Sequence, residues 1–217
     1  MRTMLVIGMG RFGQYLARHF SELGNEVMIV DKNEENIRPM LEYATNAQIA
    51  DCTDVDVLKN IGVSNFDVCF VCIGIDFQSS LEITSMLKEL GAREVVSKAS
   101  DDIHAKFLLR NGADRVVYPE RDMASRMAER YSAENALDYV GLSGDVGMYE
   151  IPVLKSWQGK TIREVNFRET YKVNIIAVRV GKQLELLMDA DRVLKDSESL
   201  LIVGHQDQLQ KFLKRID

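Results

Sequence analysis

Three glycines, Gly8, Gly10 and Gly13, stand in the spacing G-x-G-x-x-G inside Leu5-Val6-Ile7-Gly8-Met9-Gly10-Arg11-Phe12-Gly13. Glycine at these places permits a tight turn, close approach of the main chain to a phosphate, and close packing of helix on strand. A helix that starts here offers unpaired N–H groups and a partial positive charge to an anion. Asp31 closes a second expected strand, Glu26 to Val30, about 20 residues past the glycines, where a ribose-binding acid belongs. Its carboxylate can accept from both ribose hydroxyls and would repel a 2′-phosphate, which disfavours NADP and leaves NAD(H), ATP, ADP and AMP open. Arg11 sits inside the glycine turn, where a guanidinium can hold phosphate oxygens bidentately. A terminal phosphate carries more charge than an internal pyrophosphate, so Arg11 tilts the reading toward ATP or ADP; the plainer reading is an arginine solvated on a helix face. Asp51, in Asp51-Cys52-Thr53-Asp54, could accept from an adenine amino group with Thr53 nearby, or serve only as a helix cap. Met9, Phe12, Lys32, Cys52, Ile73, Gly74 and Lys98 complete the residues expected around the nucleotide.

Groups that would react with such a ligand are missing from the pattern. A dehydrogenase needs a proton-transfer group beside the nicotinamide. The three histidines, His19, His104 and His205, read as surface or packing residues. The phosphate loop G-x-x-x-x-G-K-[ST] of phosphoryl-transfer enzymes does not occur. Cys69-Phe70-Val71-Cys72 has the form C-x-x-C, yet it lies in an apolar run expected as a strand. Residues three apart on a strand face opposite ways, so these thiols are expected in the core. The site reads as one that holds a nucleotide without reacting it.

Positioning these residues requires a regular alternation of strand and helix. Helix signals run from Gly13 to Leu23 and stop at Gly24. A helix over Asn33 to Tyr43 contains Pro39, which can kink or shorten it. A strand over Ala47 to Ala50 precedes Asp54, a cap for a helix over Val55 to Ile61. A strand over Asp67 to Ile73 meets the turn Gly74-Ile75-Asp76, and a helix over Phe77 to Leu90 ends at Gly91. The last strands, Glu94 to Lys98 and Arg115 to Tyr118, flank a helix capped by Ser100 or Asp101. Six strands with five helices predict an α/β fold, a doubly wound parallel sheet in the order 3-2-1-4-5-6. Ligands bind such sheets beyond the carboxyl ends of the strands, which gathers Gly8 to Gly13, Asp31, Asp51 to Thr53 and Gly74 to Asp76 at one crevice.

Past Pro119 a helix over Glu120 to Tyr131 carries apolar residues at helical spacing. It packs either on its own sheet or, as an exchange helix, on a second subunit. From Leu137 the pattern changes to strands over Tyr149 to Leu154, Asn174 to Val180, Leu184 to Met188 and Ser199 to Val203, then a helix over Asp207 to Ile216. The expected organisation is a nucleotide-binding domain over 1–134, including the exchange helix (120–134), and a smaller α+β domain over 135–217. Net charge is −6, which argues against nucleic acid as partner. Three cysteines suit a reducing compartment. The short apolar start runs into the glycine turn and is no signal peptide, and the run Val68 to Ile75 is too short to span a bilayer. These readings place the chain in the cytoplasm.

The glycine motif, Asp51-Cys52-Thr53-Asp54, Gly112-Ala113-Asp114-Arg115-Val116-Val117-Tyr118-Pro119-Glu120-Arg121-Asp122-Met123-Ala124 and Asn174-Ile175-Ile176-Ala177-Val178 together resemble the cytosolic regulatory subunits of Ktr/Trk potassium uptake systems. These are the RCK, or KTN, proteins of the KtrA/KtrC type, and the resemblance covers nearly the whole chain. It implies dimers and an octameric ring docked under an integral membrane potassium-translocating subunit of KtrB/TrkH type, peripheral on the inner face of the cell membrane. It implies ATP or ADP in the N-terminal domain, favouring different ring shapes, with NAD or NADH in some members. Arg11 matches the arginine that meets the ATP terminal phosphate, Asp31 the ribose acid, and Glu120 an acid that helps hold a divalent or monovalent cation at the dimer interface. The C-terminal domain resembles one that binds cyclic di-AMP in several members, with Arg168 and Asn174 at the matching polar positions. Met188 replaces a frequent proline and Ser197-Glu198 a common acidic turn, and these departures count against cyclic di-AMP. Two other readings are a small NAD-dependent oxidoreductase and a nucleotide sensor with another partner.

Overall fold

A computed structural model describes residues 1–132, 137–143, 145–186 and 189–216. The chain divides into two compact units, Met1–Pro119 and Glu120–Asp217. The expected domain boundary at 134/135 falls on residues outside the described ones.

In the first unit the strands are β1 (Thr3–Ile7), β2 (Glu26–Asp31), β3 (Asn46–Ile49), β4 (Val68–Val71), β5 (Val95–Lys98) and β6 (Arg115–Val117). Between them run helices α1 (Arg11–Glu22), α2 (Glu34–Ile37), α3 (Val55–Ile61), α4 (Phe77–Glu89) and α5 (Asp102–Arg110). All strand pairs are parallel, in the order β3-β2-β1-β4-β5-β6, as the sequence predicts. β1 is central, with Val6 opposite Ile29 on one side and Phe70 on the other. Its apolar run is buried because helices cover both faces. Leu5, Ile7, Cys69, Val71 and Val95 pack with Leu58 of α3 and Ile83 and Leu87 of α4. Val6, Val27, Ile29 and Cys72 pack on the opposite face with Ala17 of α1. Burying a side chain such as Leu5 contributes about 1.5–3 kcal/mol. Cys69 and Cys72 fall in these two different clusters, so the C-x-x-C residues occupy separate cores.

The helix expected over Asn33 to Tyr43 is instead α2 followed by a 3-10 turn over Arg38–Met40. Pro39 has no N–H to continue the ladder, and its ring opposes the preceding turn. α3, α4 and α5 are capped by Asp54, Asp76 and Asp101, each accepting a backbone N–H.

Helix α6 (Pro119–Ser132) opens at the join between the units and buries none of its residues. Met123, Met127 and Tyr131 stand exposed along it. The second unit then forms an antiparallel sheet of β7 (Asp138–Ser143), β8 (Val146–Pro152), β9 (Asn174–Val180), β10 (Gln183–Glu185) and β11 (Glu198–His205), in the order β10-β9-β11-β8-β7. Helices α7 (Ile162–Val165), α8 (Phe167–Tyr171) and α9 (Gln206–Ile216) accompany it. Tyr149, Ile151, Val178, Leu200 and Ile202 of the sheet pack with Trp157, Phe167 and the α9 residues Leu209, Phe212 and Leu213. The last three recur at i, i+3 and i+4, one helical face. The strand expected over Leu184 to Met188 is shorter, because β10 ends at Glu185; Leu187 and Met188 lie outside the described residues. β7 was not expected. Gly141 pairs with Gly147 in its hairpin, and paired glycines give no alternating apolar signal.

Candidate functional site

The carboxyl ends of β1, β2, β3 and β4 open onto a cavity of about 350 Å³. Its wall includes Gly8, Gly10, Asp31, Lys32, Asp51, Cys52, Thr53, Ile73 and Gly74, which the sequence predicts for one crevice. Met9, Arg11, Phe12, Gly13 and Lys98 also come to this end of the sheet, but not as cavity wall.

The glycine turn explains the division. Gly8 has φ +92°, a conformation that disfavours any side chain, and a Cβ there would lie 3.0 Å from Ile73 and 3.3 Å from the Cys72 carbonyl carbon. Gly13 faces inward, and its added Cβ would come within 2.0 Å of the Gly8 oxygen. That glycine serves helix–strand packing rather than ligand contact. Gly10 differs: a Cβ there would meet nothing within 4 Å, so its bareness leaves room in the cavity itself. Gly10 is also the N-cap of α1, where no side chain caps the helix and no acid stands in the first turn. The first N–H groups of α1 therefore have neither an intrahelical acceptor nor a side-chain substitute. They face an opening lined by glycine, the arrangement that receives a phosphate.

Asp31 is tied to this turn. Its Oδ2 accepts from the Met9 N–H at 2.6 Å and its Oδ1 from the Asn33 N–H at 2.8 Å. Each carboxylate oxygen retains a lone pair for a further donor, so the acid is held in place with acceptor capacity to spare. Met9 thus contributes through its backbone, while its side chain is buried beneath α1. Asp51 accepts from the Thr53 N–H at 3.0 Å and the Thr53 hydroxyl at 2.8 Å. These two bonds hold its carboxyl below the usual range. Asp76, at the opposite lip, accepts from the Ser79 hydroxyl and N–H, and its carboxyl is likewise lowered. Lys32 lies near enough to favour the charged forms of both acids.

The other flank carries positive charge. Lys98 ends β5, and an added Cβ on Gly74 would lie 3.2 Å from its Cε and 3.3 Å from its Nζ. Its ammonium also stands 5.9 Å from the centroid of the Phe12 ring, in the first turn of α1. Gly74 gives this lysine its path toward the helix end. Arg11 is exposed at the first position of α1, directly after Gly10. Asp51 and Asp76 thus lie on one side, Lys98 and Arg11 on the other, and Asp31 stands between them against the glycine turn, an order suited to base, ribose and phosphate in sequence. Cys52 and Cys72 contribute apolar floor, since burial pushes both thiols up to about 12.

The apolar wall residues Ile7, Val30, Ala50, Cys72 and Ile83 and two polar ones escaped the sequence reading. Asn33 lines the cavity, and its signal is the Asp-x-Asn turn closed on Asp31. Ser79 does so too, announced only by its spacing from the cap Asp76.

The remaining predicted residues lie in the second unit. Glu120 is exposed in the first turn of α6. Among the described residues no group of three or more His, Cys, Asp or Glu is placed to hold a metal ion. Arg168 and Asn174 do meet, the guanidinium Nε donating to Asn174 Oδ1 at 2.8 Å. Among the described residues, no helix is long and apolar enough to cross a membrane.

Residues 4–119 match the TrkA-N domain and residues 148–217 the TrkA-C domain. The chain is 39% identical over 215 residues to Ktr system potassium uptake protein C of Bacillus subtilis, covering 99% of this chain and 97% of that protein. It is 34% identical to Ktr system potassium uptake protein A of the same organism, covering 97% and 95% respectively. These relatives are named for potassium uptake and not for a reaction. Among solved structures, the GsuK channel superposes with a TM-score of 0.70 at 21% identity, covering 99% of this chain and 39% of that one. The GsuK channel bound to NAD gives 0.65 at 20% identity, covering 100% and 39%. At such identity these two likenesses establish the fold. With both domains matched in order and the Ktr proteins aligned nearly end to end, the chain belongs to the TrkA-N/TrkA-C family of Ktr and Trk potassium uptake proteins.

Proposed function

We propose that this protein is a regulatory subunit of a potassium uptake system, gated by an adenine nucleotide that it binds and does not consume. The observation that carries the reading is the uncapped N-terminus of α1 behind Gly10, facing a cavity in which Asp31 is held by the glycine turn itself. Kinship with the Ktr proteins supplies the context of potassium transport. The partner is an integral membrane potassium-translocating subunit of KtrB/TrkH type, and the protein works at the inner face of the membrane.

Within that reading, ATP and ADP are the ligands, and Arg11 senses the additional phosphate. A ligand shifts a ring between two shapes only by its different affinity for them. NAD or NADH is the other occupant to test, because a fold neighbour is described as bound to NAD. α6, with its exposed Met123, Met127 and Tyr131, is read as the exchange helix of a dimer. It belongs functionally with residues 1–134, and a cation at Glu120 bridges neighbouring subunits of an octameric ring. Arg168 and Asn174 are read as matching the polar positions of a cyclic di-AMP site, and Met188 and Ser197-Glu198 depart from its pattern, so cyclic di-AMP is the doubtful ligand of the set.

Calorimetry with ATP, ADP, NADH and cyclic di-AMP tests the reading, combined with potassium flux through the reconstituted membrane partner. Saturable binding of ATP and ADP with no turnover, and different flux in the two states, is the expected result. Absence of binding by any of these compounds, or steady consumption of one, overturns it.

A further inference from the structure

The geometry points to a second anion site, within the C-terminal unit, for a ligand that presents a phosphate group. A cavity of about 330 Å³ lies between the end of α8 and the last turns of α9. Four cationic side chains line it: Lys172, Lys211, Lys214 and Arg215. Tyr171 and Phe212 form its aromatic wall, their rings 5.2 Å apart and edge to face.

Three features argue that these charges are arranged rather than scattered. First, Arg215 is fixed. Its guanidinium lies 5.3 Å from the Tyr171 ring centroid, and Nη1 donates to the Thr170 carbonyl at 3.1 Å. A stacked arginine retains donors for a phosphate oxygen. Second, Lys172 closes α8 with φ +60°. Glycine or asparagine takes that conformation with less strain, so keeping lysine there retains a charged side chain at a conformational cost. Third, charge is in excess. Lys172 pairs with Glu169 and Lys211 with Asp207, both at 3.4 Å and well exposed, and such pairs are weak. Among the described residues no acid pairs with Lys214 or Arg215, in a chain whose net charge is −6. The dipole of α9 accounts for cations at its C-terminal end, that is, for Lys214 and Arg215. Lys172 stands likewise at the C-terminal end of α8, but helix dipoles do not account for the convergence of these two ends on one cavity.

The phosphate could arrive on a soluble ion or on a lipid headgroup, and one experiment separates the two. The full chain is titrated calorimetrically with inorganic pyrophosphate. It is also sedimented with vesicles of phosphatidylglycerol and phosphatidylcholine in equal amounts, against phosphatidylcholine alone. Both measurements are repeated on R11A, which removes the guanidinium beside the nucleotide cavity, and on K211Q/K214Q, whose exposed positions leave the core intact. Binding in either arm that survives R11A and weakens about tenfold in K211Q/K214Q supports the site, the loss expected for two charge-assisted contacts in an open groove. Pyrophosphate binding alone identifies a soluble ligand, and binding to the anionic vesicles alone a headgroup. No binding in either arm, or binding that K211Q/K214Q retains in full, overturns the proposal. Because R11A is the control, failure here is distinguishable from failure of the nucleotide reading.

Discussion

Replacing Gly10 or Gly13 by alanine adds the same methyl group three residues apart, and the structure predicts opposite outcomes. At Gly13 the new Cβ would stand 2.0 Å from the Gly8 carbonyl oxygen. Ordinary contact requires α1 to retreat from β1 by about 1 Å or more, and the obstacle is backbone that cannot rotate aside. Overpacking of this kind costs about 1–3 kcal/mol, occasionally more, and rigid backbone on one side puts Gly13→Ala near the upper end, about 3 kcal/mol. For a unit of this size that lowers Tm by roughly 10 °C. At Gly10 the Cβ meets nothing within 4 Å, and φ is −65°, a conformation alanine adopts freely. Alanine is a poorer N-cap than glycine, but it restricts the unfolded chain, and these effects of about 0.5–1 kcal/mol each oppose one another. Gly10→Ala is therefore expected to melt within about 3 °C of the parent. It places a methyl group where a phosphate would approach, however, and should weaken ATP and ADP binding at least about tenfold, a loss of about 1.4 kcal/mol. Differential scanning calorimetry and titration calorimetry on the two variants decide the matter. A Gly13→Ala protein as stable as the parent would refute the packing argument. A Gly10→Ala protein with undiminished affinity would refute the assignment of the phosphate site.

Arg11→Ala should erode discrimination between ATP and ADP by about tenfold while leaving adenosine affinity unchanged; equal losses for all three would remove Arg11 as the sensor. Asp31→Asn should weaken every ribose-bearing ligand by about 1–3 kcal/mol, with the loss absent for pyrophosphate, and an unchanged adenosine affinity would count against the ribose assignment. All three thiols are pushed up to about 12 by burial, so alkylation at pH 8 should be far slower than for free cysteine until denaturant is added; rapid labelling of the native chain would contradict the packing. In the C-terminal unit Arg179 grips Glu150 with bonds of 2.7 and 3.0 Å and holds its carboxyl below the usual range. A depressed carboxyl stabilises above the unfolded value and loses that contribution as pH falls through the folded one. Stability should thus decline as acid is added below about pH 4.3, and Glu150→Gln should flatten that decline; an identical pH profile for both proteins would exclude the pair as its source.

The first unit was legible because its signals are local and repeated. Apolar runs end at glycines or acids, and right-handed crossovers with a glycine turn after the first strand point to the doubly wound order of six parallel strands. Asp31 and the glycine turn, 18 residues apart at their nearest, come together because parallel strands present all their carboxyl ends on one side. What escaped depends on side-chain paths that periodicity does not encode. That Gly74 makes room for Lys98 is a fact about two neighbouring strands, invisible in either alone. Pro39 announced a break, but not its form as a 3-10 turn. β7 was hidden by glycines paired across its hairpin. Nothing in the spacing of Arg168 and Asn174 announces that the two bond to each other at 2.8 Å.

The bare beginning of α1 makes the first helix an unfinished element. An N-terminal cap contributes about 1 kcal/mol, and this helix obtains none from its own side chains. An arriving anion would supply the missing acceptor, so part of its binding energy would be spent on completing the fold. Amide hydrogens over residues 11–15 should then exchange with solvent more slowly once the cavity fills. On the proposed reading the helix that receives the ligand would be a gauge of occupancy, stiff when nucleotide outside is plentiful and looser when it is scarce.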